Sequence, residues 1–242
     1  MEKERVNEGK TKIVYSSDRS DTYLLKFKDD ITALDGEKHD LLEGKGKINA
    51  TISVELFELL EKNGIKTHLI EPLDSNSILV KKLEMMPLEV VCRNIAAGHF
   101  ISRFSMFKKG QKLKFPIVEF YLKDDALHDP MLVEDHLVLL DLASEDEVTE
   151  IKEITRKINK VLFDFFLDKN LKLVDFKLEF GRDSKNQIIL GDELNSDCMR
   201  LWDIDTGEIL DKDVYRQNSS MNEVKETYEE LYRRLFPDDK NM

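Results

Sequence analysis

The chain has 242 residues, of which 41% are hydrophobic and 36% are charged, and its formal net charge is −12. This composition is typical of a globular chain with a sizeable core, arranged as one large domain or two small ones. The acidic balance argues against a nucleic-acid partner, because the lysines are mixed with acids and form no basic patch.

The N-terminal part of the sequence predicts a hairpin followed by an irregular segment. The runs KIVYS (12–16) and TYLLKFK (22–28) are rich in β-forming residues, and the turn DRSD (18–21) lies between them. Residues 29–47 contain three glycines and many charges, and they predict a long mobile loop.

A helix and two strands are predicted next. Apolar residues fall at helical spacing within residues 48–60, and Asn63-Gly64 supplies the end of the helix. The runs THLIEPL (67–73) and SILVKKL (77–83) then predict two strands.

The break at Met85-Met86-Pro87 predicts a hinge and a domain boundary. We expect a β-rich N-terminal domain in residues 1–86 and an α+β domain in residues 87–242. The second domain begins with the predicted strand LEVVCRNIA (88–96). Two of its helices are predicted by capping boxes, which lie at Ser144 with Glu147 and at Ser220 with Glu223.

The run LVDFKLEFG (173–181) alternates apolar and charged residues and predicts a strand with Asp175, Lys177 and Glu179 on one face. It forms a predicted hairpin with QIILGDELNSD (187–197). An even-numbered loop in that hairpin would place Asp192 on the same face as Glu179, and two such carboxylates suit Mg²⁺. The alternative is an ordinary solvent-facing strand surface. The apolar second strand and the presence of both charge signs count against that alternative.

Two further motifs carry candidate phosphate ligands. In EGKTKIVY (8–15), Gly9 would allow close approach of the backbone to a ligand, and Lys10 and Lys12 could meet phosphates. In RNIAAGHFISR (93–103), a small-residue turn after Arg93 could cradle a phosphate. The alternatives are a solvated strand start for the first motif and a packed turn for the second.

Three other features are less specific. KDDALHDP (123–130) is a sequence typical of a turn. SDCMRLWD (196–203) places Arg200 where a ligand reaching across the hairpin could meet it. The cysteines Cys92 and Cys198 stand in no metal-ligand spacing and indicate a reducing compartment. With no leader-like start and no apolar run of ~18 residues, we expect a cytoplasmic protein that does not contact a membrane.

Seven motifs in register resemble the SAICAR synthetase family over about residues 8 to 217. They are EGKTKIVY, the DG…GKG loop, KKLEMMPLEVVCRNIAAG, LKDDALHDP, LVDFKLEFG, LGDELNSDCMRLWD and DKDVYRQ. The resemblance implies an α+β fold similar to kinase-like and ATP-grasp folds. It has an N-terminal antiparallel β lobe, a C-terminal α+β lobe and ATP in the cleft between them. It also implies an ATP-dependent ligase that joins L-aspartate to the carboxylate of the ribonucleotide CAIR. The products are SAICAR, ADP and phosphate, in de novo purine biosynthesis.

The resemblance also implies roles for individual residues. Those expected to bind ATP are Gly9, Lys10, Lys12, Lys81, Glu84 and Met86, the last three framing the adenine at the hinge. Mg²⁺ would be held by Glu179 and Asp192. The candidate catalytic residues are Lys177 and Asp175, the latter as a guess for the general base. Residues expected at the other substrates are Arg93, Arg200, His99, Lys123, Asp129, Asp35 and Lys38. The two arginines would bind the ribotide 5′-phosphate, and His99 stands where many family members have serine.

Other functions and states remain open at this point. The DFKLEFG stretch also resembles the Asp-x-Lys motif of inositol polyphosphate kinases, although their basic pocket is not expected in this acidic chain. A non-catalytic nucleotide-binding or scaffold protein is a third class. Relatives also include homo-oligomers such as dimers. The ligation itself can proceed through an acyl phosphate or by amine attack before phosphoryl transfer.

Overall fold

The computed structural model describes residues 4–33 and 36–239. All pairings between its named strands are antiparallel, and the described strands form sheets of five, seven and two strands. The first strands are β1 Arg5–Glu8, β2 Lys12–Ser16, β3 Thr22–Phe27, β4 Asp30–Ala33, β5 Lys38–Leu41, β6 Leu69–Asp74 and β7 Ser77–Lys81. The others are β8 Glu84–Met85, β9 Leu88–Ile95, β10 Lys112–Leu122, β11 Met131–Leu132, β12 Leu171–Arg182, β13 Ile188–Gly191 and β14 Met199–Asp203. The helices are α1 Lys45–Lys62, α2 His99–Arg103, α3 Glu134–Leu139, α4 Glu145–Leu167, α5 Asp213–Arg216 and α6 Met221–Leu235.

The five-stranded sheet has the order β1-β2-β3-β7-β6. The predicted hairpin is confirmed as β2 and β3, and the two predicted strands that follow the helix are confirmed as β6 and β7. Helix α1 contacts this sheet and ends as predicted, with Asn63 as its C-cap and Gly64 at φ 77°. A left-handed residue after the last turn is a common way to end a helix, and glycine adopts that conformation without a steric penalty.

The expected long mobile loop at residues 29–47 is wrong. Strands β4 and β5 pair with each other there, and α1 begins at Lys45. Asp29 fixes the start of α1, because its carboxylate accepts a hydrogen bond from the Gly46 amide at 2.8 Å. A Cβ at Gly46 would lie 2.8 Å from the Phe27 carbonyl oxygen, so glycine is required where the helix meets β3. Asp35, expected to contact a substrate, lies outside the described residues.

The seven-stranded sheet has the order β11-β10-β9-β12-β13, and β14 and β8 also pair with β12. One of its faces packs against α4, which starts at the predicted capping box of Ser144 and Glu147. The predicted capping box at Ser220 and Glu223 likewise opens α6. These boxes satisfy backbone N–H groups that have no partner within the first turn of a helix.

A single hydrophobic cluster extends from Leu25 in β3 to Leu235 in α6. This core is continuous across the expected boundary between residues 86 and 87, and the division into two domains stays a prediction. Within the described ranges, no helix is both long enough and apolar enough to span a membrane.

Candidate active site

The charged face of β12 is covered by other parts of the protein. Asp175 and Glu179 are each 3% exposed, and Lys177 between them is partly exposed. The strand is therefore not a solvent-facing surface. Burying a carboxylate is costly unless a cation or a hydrogen-bond donor compensates its charge. The partners of these three side chains define the site.

Asp175 lies between Arg93 and Arg200 in a row that crosses three strands, and we call these three residues the arginine row. In the register of the sheet, Asp175 is opposite Arg93 of β9 on one side and opposite Arg200 of β14 on the other. Its carboxylate accepts a hydrogen bond from Arg93 Nη1 at 2.7 Å and from Arg200 Nη1 at 3.0 Å. Arg200 Nε also donates to Asp213 at 2.7 Å. The two arginines predicted to share a phosphate are thus brought together.

Both guanidinium groups are firmly charged. Burial disfavours the charged form of Arg200, but Asp175 and Asp213 outweigh it and hold its pKa above the ordinary value. Burial acts in the same way on Arg93, and its carboxylate neighbours again give a raised pKa. Arginine pairs two parallel N–H groups with carboxylate or phosphate oxygens, so this row is suited to an oxyanion.

Gly98 allows the chain to pass directly over Arg200. It has φ 51° and ψ −139°, and a Cβ at this position would lie 2.7 Å from Arg200 Nη2. That backbone conformation is essentially restricted to glycine. The small-residue turn predicted after Arg93 therefore lies against the second arginine. His99 follows it as the exposed first residue of α2.

A second cluster, the lysine cluster, consists of Lys12, Lys123 and Lys177 around Glu179 and Asp192. Glu179 accepts hydrogen bonds from Lys123 Nζ at 2.5 Å and from Lys177 Nζ at 3.1 Å. Lys12 Nζ lies 2.8 Å from Asp192 Oδ1. Since Lys12 belongs to β2, this contact joins the five-stranded sheet to the hairpin of β12 and β13.

Each member of the lysine cluster with a shifted pKa is stabilised in its charged form. Burial opposes the charge on Lys12, but Asp192 and Glu193 outweigh it and raise the pKa. Burial also opposes the charge on Lys177, yet the nearby carboxylates raise its pKa well above the ordinary value. For Asp192, burial is outweighed by the three lysines, which hold its pKa well below the usual range. Lys12, Lys177 and Asp192 are therefore charged at neutral pH.

Asp192 and Glu179 reach the same lysines, although the register of the hairpin does not place the two residues on one face. Glu179 pairs with Gly191 and Arg182 pairs with Ile188, so the five residues 183–187 connect the strands. This odd-numbered connection contradicts the even-numbered loop on which the prediction depended, because strict alternation would turn Asp192 to the opposite face. Asp192, however, follows the last residue of β13 and has φ 58°. Leaving the strand conformation lets its side chain reach the same lysines as Glu179.

The motif around Lys10 lies beside the loop that follows β10. Lys10 Nζ donates to Asp125 Oδ1 at 2.8 Å. Asp129 orders this loop, because its carboxylate accepts a hydrogen bond from the Asp124 amide at 2.8 Å. Gly9 is part of a turn in which its amide donates to the Lys12 carbonyl. A Cβ at Gly9 would be in ordinary contact at 3.7 Å, so the protein alone does not require glycine there.

The hinge residues are arranged around β8. The Met86 side chain is buried and its amide donates to the Phe180 carbonyl at 2.9 Å, so that amide is already used within the protein. Glu84 is exposed and pairs in β8 with Arg182. Lys81 Nζ donates to the Thr67 carbonyl. These three residues lie outside the lysine cluster described above.

Lys38 connects β5 to α5. Its Nζ donates to the Tyr215 carbonyl at 2.8 Å and lies 3.9 Å from the centre of the Tyr215 ring. Tyr215 also donates a hydrogen bond to Asp40. Since α5 carries Asp213, the partner of Arg200, the β4–β5 hairpin is tied to the helix beside the arginine row.

Several acids of the site were not predicted from the sequence. Glu89 accepts a hydrogen bond from Lys177 at 2.6 Å, and Glu193 lies 3.4 Å from Lys12. A signal for Glu89 was available, because residues 89 and 93 share one face of a strand by the period of two. Asp213 lies within the motif DKDVYRQ but has no pattern of its own.

Comparisons with known proteins extend over nearly the whole chain. The sequence profile of the family described as SAICAR synthetase matches residues 5–235. A phosphoribosylaminoimidazole-succinocarboxamide synthase of Sulfurisphaera tokodaii is 49% identical over 235 residues, which are 97% of this chain and 99% of that protein. The crystal structure of the corresponding synthase of Ehrlichia chaffeensis has a TM-score of 0.92 and 42% identity, covering 96% of this chain and 98% of that one. A SAICAR synthetase in complex with ADP has a TM-score of 0.92 and 44% identity, covering 98% and 99%.

The fold and the site define a protein of mixed α and antiparallel β structure whose buried arginines and lysines are suited to anionic groups. Within that class, the chain belongs to the SAICAR synthetase family. The function expected from the seven motifs, SAICAR synthesis in purine biosynthesis, is thereby confirmed. The inositol polyphosphate kinase alternative is not favoured.

Proposed function

We propose that the two clusters on the charged face of the sheet divide the substrates of the reaction between them. The arginine row binds the 5′-phosphate of CAIR, and the lysine cluster receives the phosphates of ATP. One observation carries this assignment. Asp175, Lys177 and Glu179 alternate along one strand, about 6.6 Å apart, so both clusters are built on adjacent positions of β12.

The residues present fit a magnesium ion. Nowhere in residues 4–33 or 36–239 do three or more acidic, histidine or cysteine side chains form a group arranged to hold a metal. Mg²⁺ typically binds through one or two carboxylates together with substrate phosphates and water, so a complete protein cage is not needed. Glu179 and Asp192 supply two carboxylates among three lysines. We assign the ion to these two residues, where it would neutralise phosphate charge when bound.

ATP lies between the five-stranded sheet and the hairpin of β12 and β13 in this proposal. The contact from Lys12 to Asp192 joins the two parts at that point. A related SAICAR synthetase has been solved in complex with ADP, and it aligns over 98% of this chain. Segment 81–86 then borders the adenine, with Lys10 at the phosphate side. Because the Met86 amide is used by Phe180, we assign Met86 to packing.

The main role of the lysines and arginines is to offset the negative charge of the substrates. ATP, CAIR and L-aspartate are all anions, so bringing them together requires fixed cations that need no rearrangement during the reaction. Lys177 is held between Glu89 and Glu179 and remains protonated, so its role is electrostatic. Every contact shown for the Asp175 carboxylate is with a guanidinium group. We therefore assign Asp175 to orienting the arginines, in place of the earlier guess that it removes a proton.

The identity of the substrates is tested by ADP release. The protein is incubated with Mg²⁺ and ATP and with CAIR plus L-aspartate, with an inositol phosphate, or with neither. We expect ADP release that depends on both CAIR and L-aspartate, with SAICAR formed in equal amount. Release that requires the inositol phosphate instead would contradict the proposal.

A further inference from the structure

Glu119 is a buried acid on the same face of the sheet, in strand β10, and it is 5% exposed. Its Oε2 atom accepts a hydrogen bond from Arg93 Nε at 2.6 Å and from the Tyr121 hydroxyl at 2.8 Å. Its Oε1 atom accepts one from Arg103 Nη2 at 2.5 Å. Glu119 therefore bridges Arg93 of the arginine row and Arg103 at the end of α2.

These contacts fix the guanidinium group of Arg93 from two sides. Its Nε edge is held by Glu119, its Nη1 atom donates to Asp175 at 2.7 Å, and its Nη2 atom donates to Tyr121 at 3.3 Å. A planar guanidinium bound at all three nitrogens has one orientation. Glu119 pairs with Val91 at one edge of β9, and Asp175 pairs with Arg93 at the other edge, so the two acids contact Arg93 from opposite sides of the strand.

The charge balance shows why an acid is suited to this position. Arg93 and Arg103 both contact Glu119, so a neutral side chain there would leave two cations close together without their shared anion. Like charges at short range repel strongly in a buried environment. Without the bridge, Arg93 would keep Asp175 as its anionic partner, but Arg200 also binds that carboxylate.

We propose that Glu119 is a positioning residue that holds Arg93 by its Nε edge, so that the two Nη groups, which also donate to Asp175 and Tyr121, stay in position for the ribotide phosphate. Glu119 acts through Arg93 and touches no substrate. This inference rests on the proposed function, in which Arg93 and Arg200 bind the 5′-phosphate. Sub-ångström errors in the placement of such a group are expected to weaken phosphate binding without removing the binding of ATP.

The test compares Glu119→Gln with wild type in steady-state kinetics, using CAIR and its riboside, which lacks the phosphate. We expect the KM for CAIR to rise about 10-fold to 100-fold. The KM for ATP should change less than about threefold, and the activity on the riboside should be unchanged, because these do not depend on Arg93. Glu119→Asp, which keeps the charge, should restore part of the lost affinity. A matched control is Glu134→Gln, which breaks an exposed ion pair to Lys152 and should leave every KM as in wild type.

The outcomes separate this inference from the proposed function. If Arg93→Lys raises the KM for CAIR but Glu119→Gln does not, the positioning role is wrong and the phosphate site stands. If neither Arg93→Lys nor removal of the substrate phosphate affects binding, the proposed phosphate site itself is wrong. Should Glu119→Gln fail to fold, Arg103→Gln removes only the outer partner of Glu119. It should still raise the KM for CAIR by about threefold to tenfold, and no rise would overturn the inference.

Discussion

Replacement of Asp192 by Asn tests the lysine cluster most directly, because it removes one charge and keeps the shape of the side chain. Lys12 Nζ lies 2.8 Å from Asp192 Oδ1. At an effective dielectric constant of about 20, two unit charges at this distance attract by about 6 kcal/mol, which is an upper limit for a partly exposed pair. Lys12 keeps Glu193 at 3.4 Å in the variant. We therefore expect a loss of about 1–3 kcal/mol in the free energy of unfolding at pH 7.

The pH dependence of stability gives an independent check on the same residue. The folded-state pKa of Asp192 is depressed, so its contribution is present above the unfolded value of about 3.9 and is lost as the pH falls toward the folded value. Wild type should therefore lose this contribution below about pH 4, and Asp192→Asn should lack that component. Denaturant unfolding of both proteins from pH 7 down to pH 3 measures the difference.

Activity gives a third check on Asp192. If Asp192 is one of two carboxylates that hold Mg²⁺, its loss should lower kcat/KM for ATP at least about 100-fold, equivalent to about 2.7 kcal/mol. ADP release is measured over a Mg²⁺ titration, and the KM for CAIR should change little. Asp183→Asn in the turn of the same hairpin is the matched control and should remain fully active. Activity of Asp192→Asn within about threefold of wild type would refute the metal assignment.

Three further outcomes are expected. Arg200→Ala should raise the KM for CAIR far more than the KM for ATP, and an equal rise in both would exclude a phosphate-binding role. Gly98→Ala should destabilise the protein by about 1–3 kcal/mol and weaken CAIR binding. The added Cβ would clash with the Arg200 side chain, and a backbone φ of 51° is strained for alanine. Wild-type thermal stability and CAIR affinity would show that the turn is not constrained. Glu147, which accepts from Arg182, has a pKa lowered to about 2 by that arginine, and burial only partly opposes this. The stabilisation that Glu147 provides should be present above about pH 4.5 and be lost toward pH 2. In Glu147→Gln, the free energy of unfolding should therefore change less with pH over that range, as measured by denaturant unfolding.

The sequence predicted the elements whose signals are local. The hairpin of β2 and β3, the end of α1 and both capping boxes each depend on residues within a few positions of one another. Strands β4 and β5 were missed because each has four residues with little apolar alternation, and DITA and KHDL stand among charges and glycines. Their pairing is stabilised by contacts that the local pattern does not show.

The residue types of the site were easier to predict from the sequence than their positions in the fold. The alternation in β12 correctly placed three ionisable groups on one face, and their partners show why that face is buried. The position of Asp192 depends on a single left-handed residue after β13, which no period of two can indicate. Glu119 was missed because its contact with Arg93 depends on which strands are neighbours and on their register.

The charged face of β12 shows how a chain with a net charge of −12 can present a group of cations. The cations of the site are not bare, because each described lysine or arginine of the two clusters contacts at least one carboxylate. Without those acids, neighbouring cations would repel one another and their side chains would have no fixed positions. Glu89, Glu193 and Asp213 therefore hold Lys177, Lys12 and Arg200 in place. A chain that is acidic overall can in this way hold several arginines and lysines at fixed positions on one face, because each of these cations has an acid beside it.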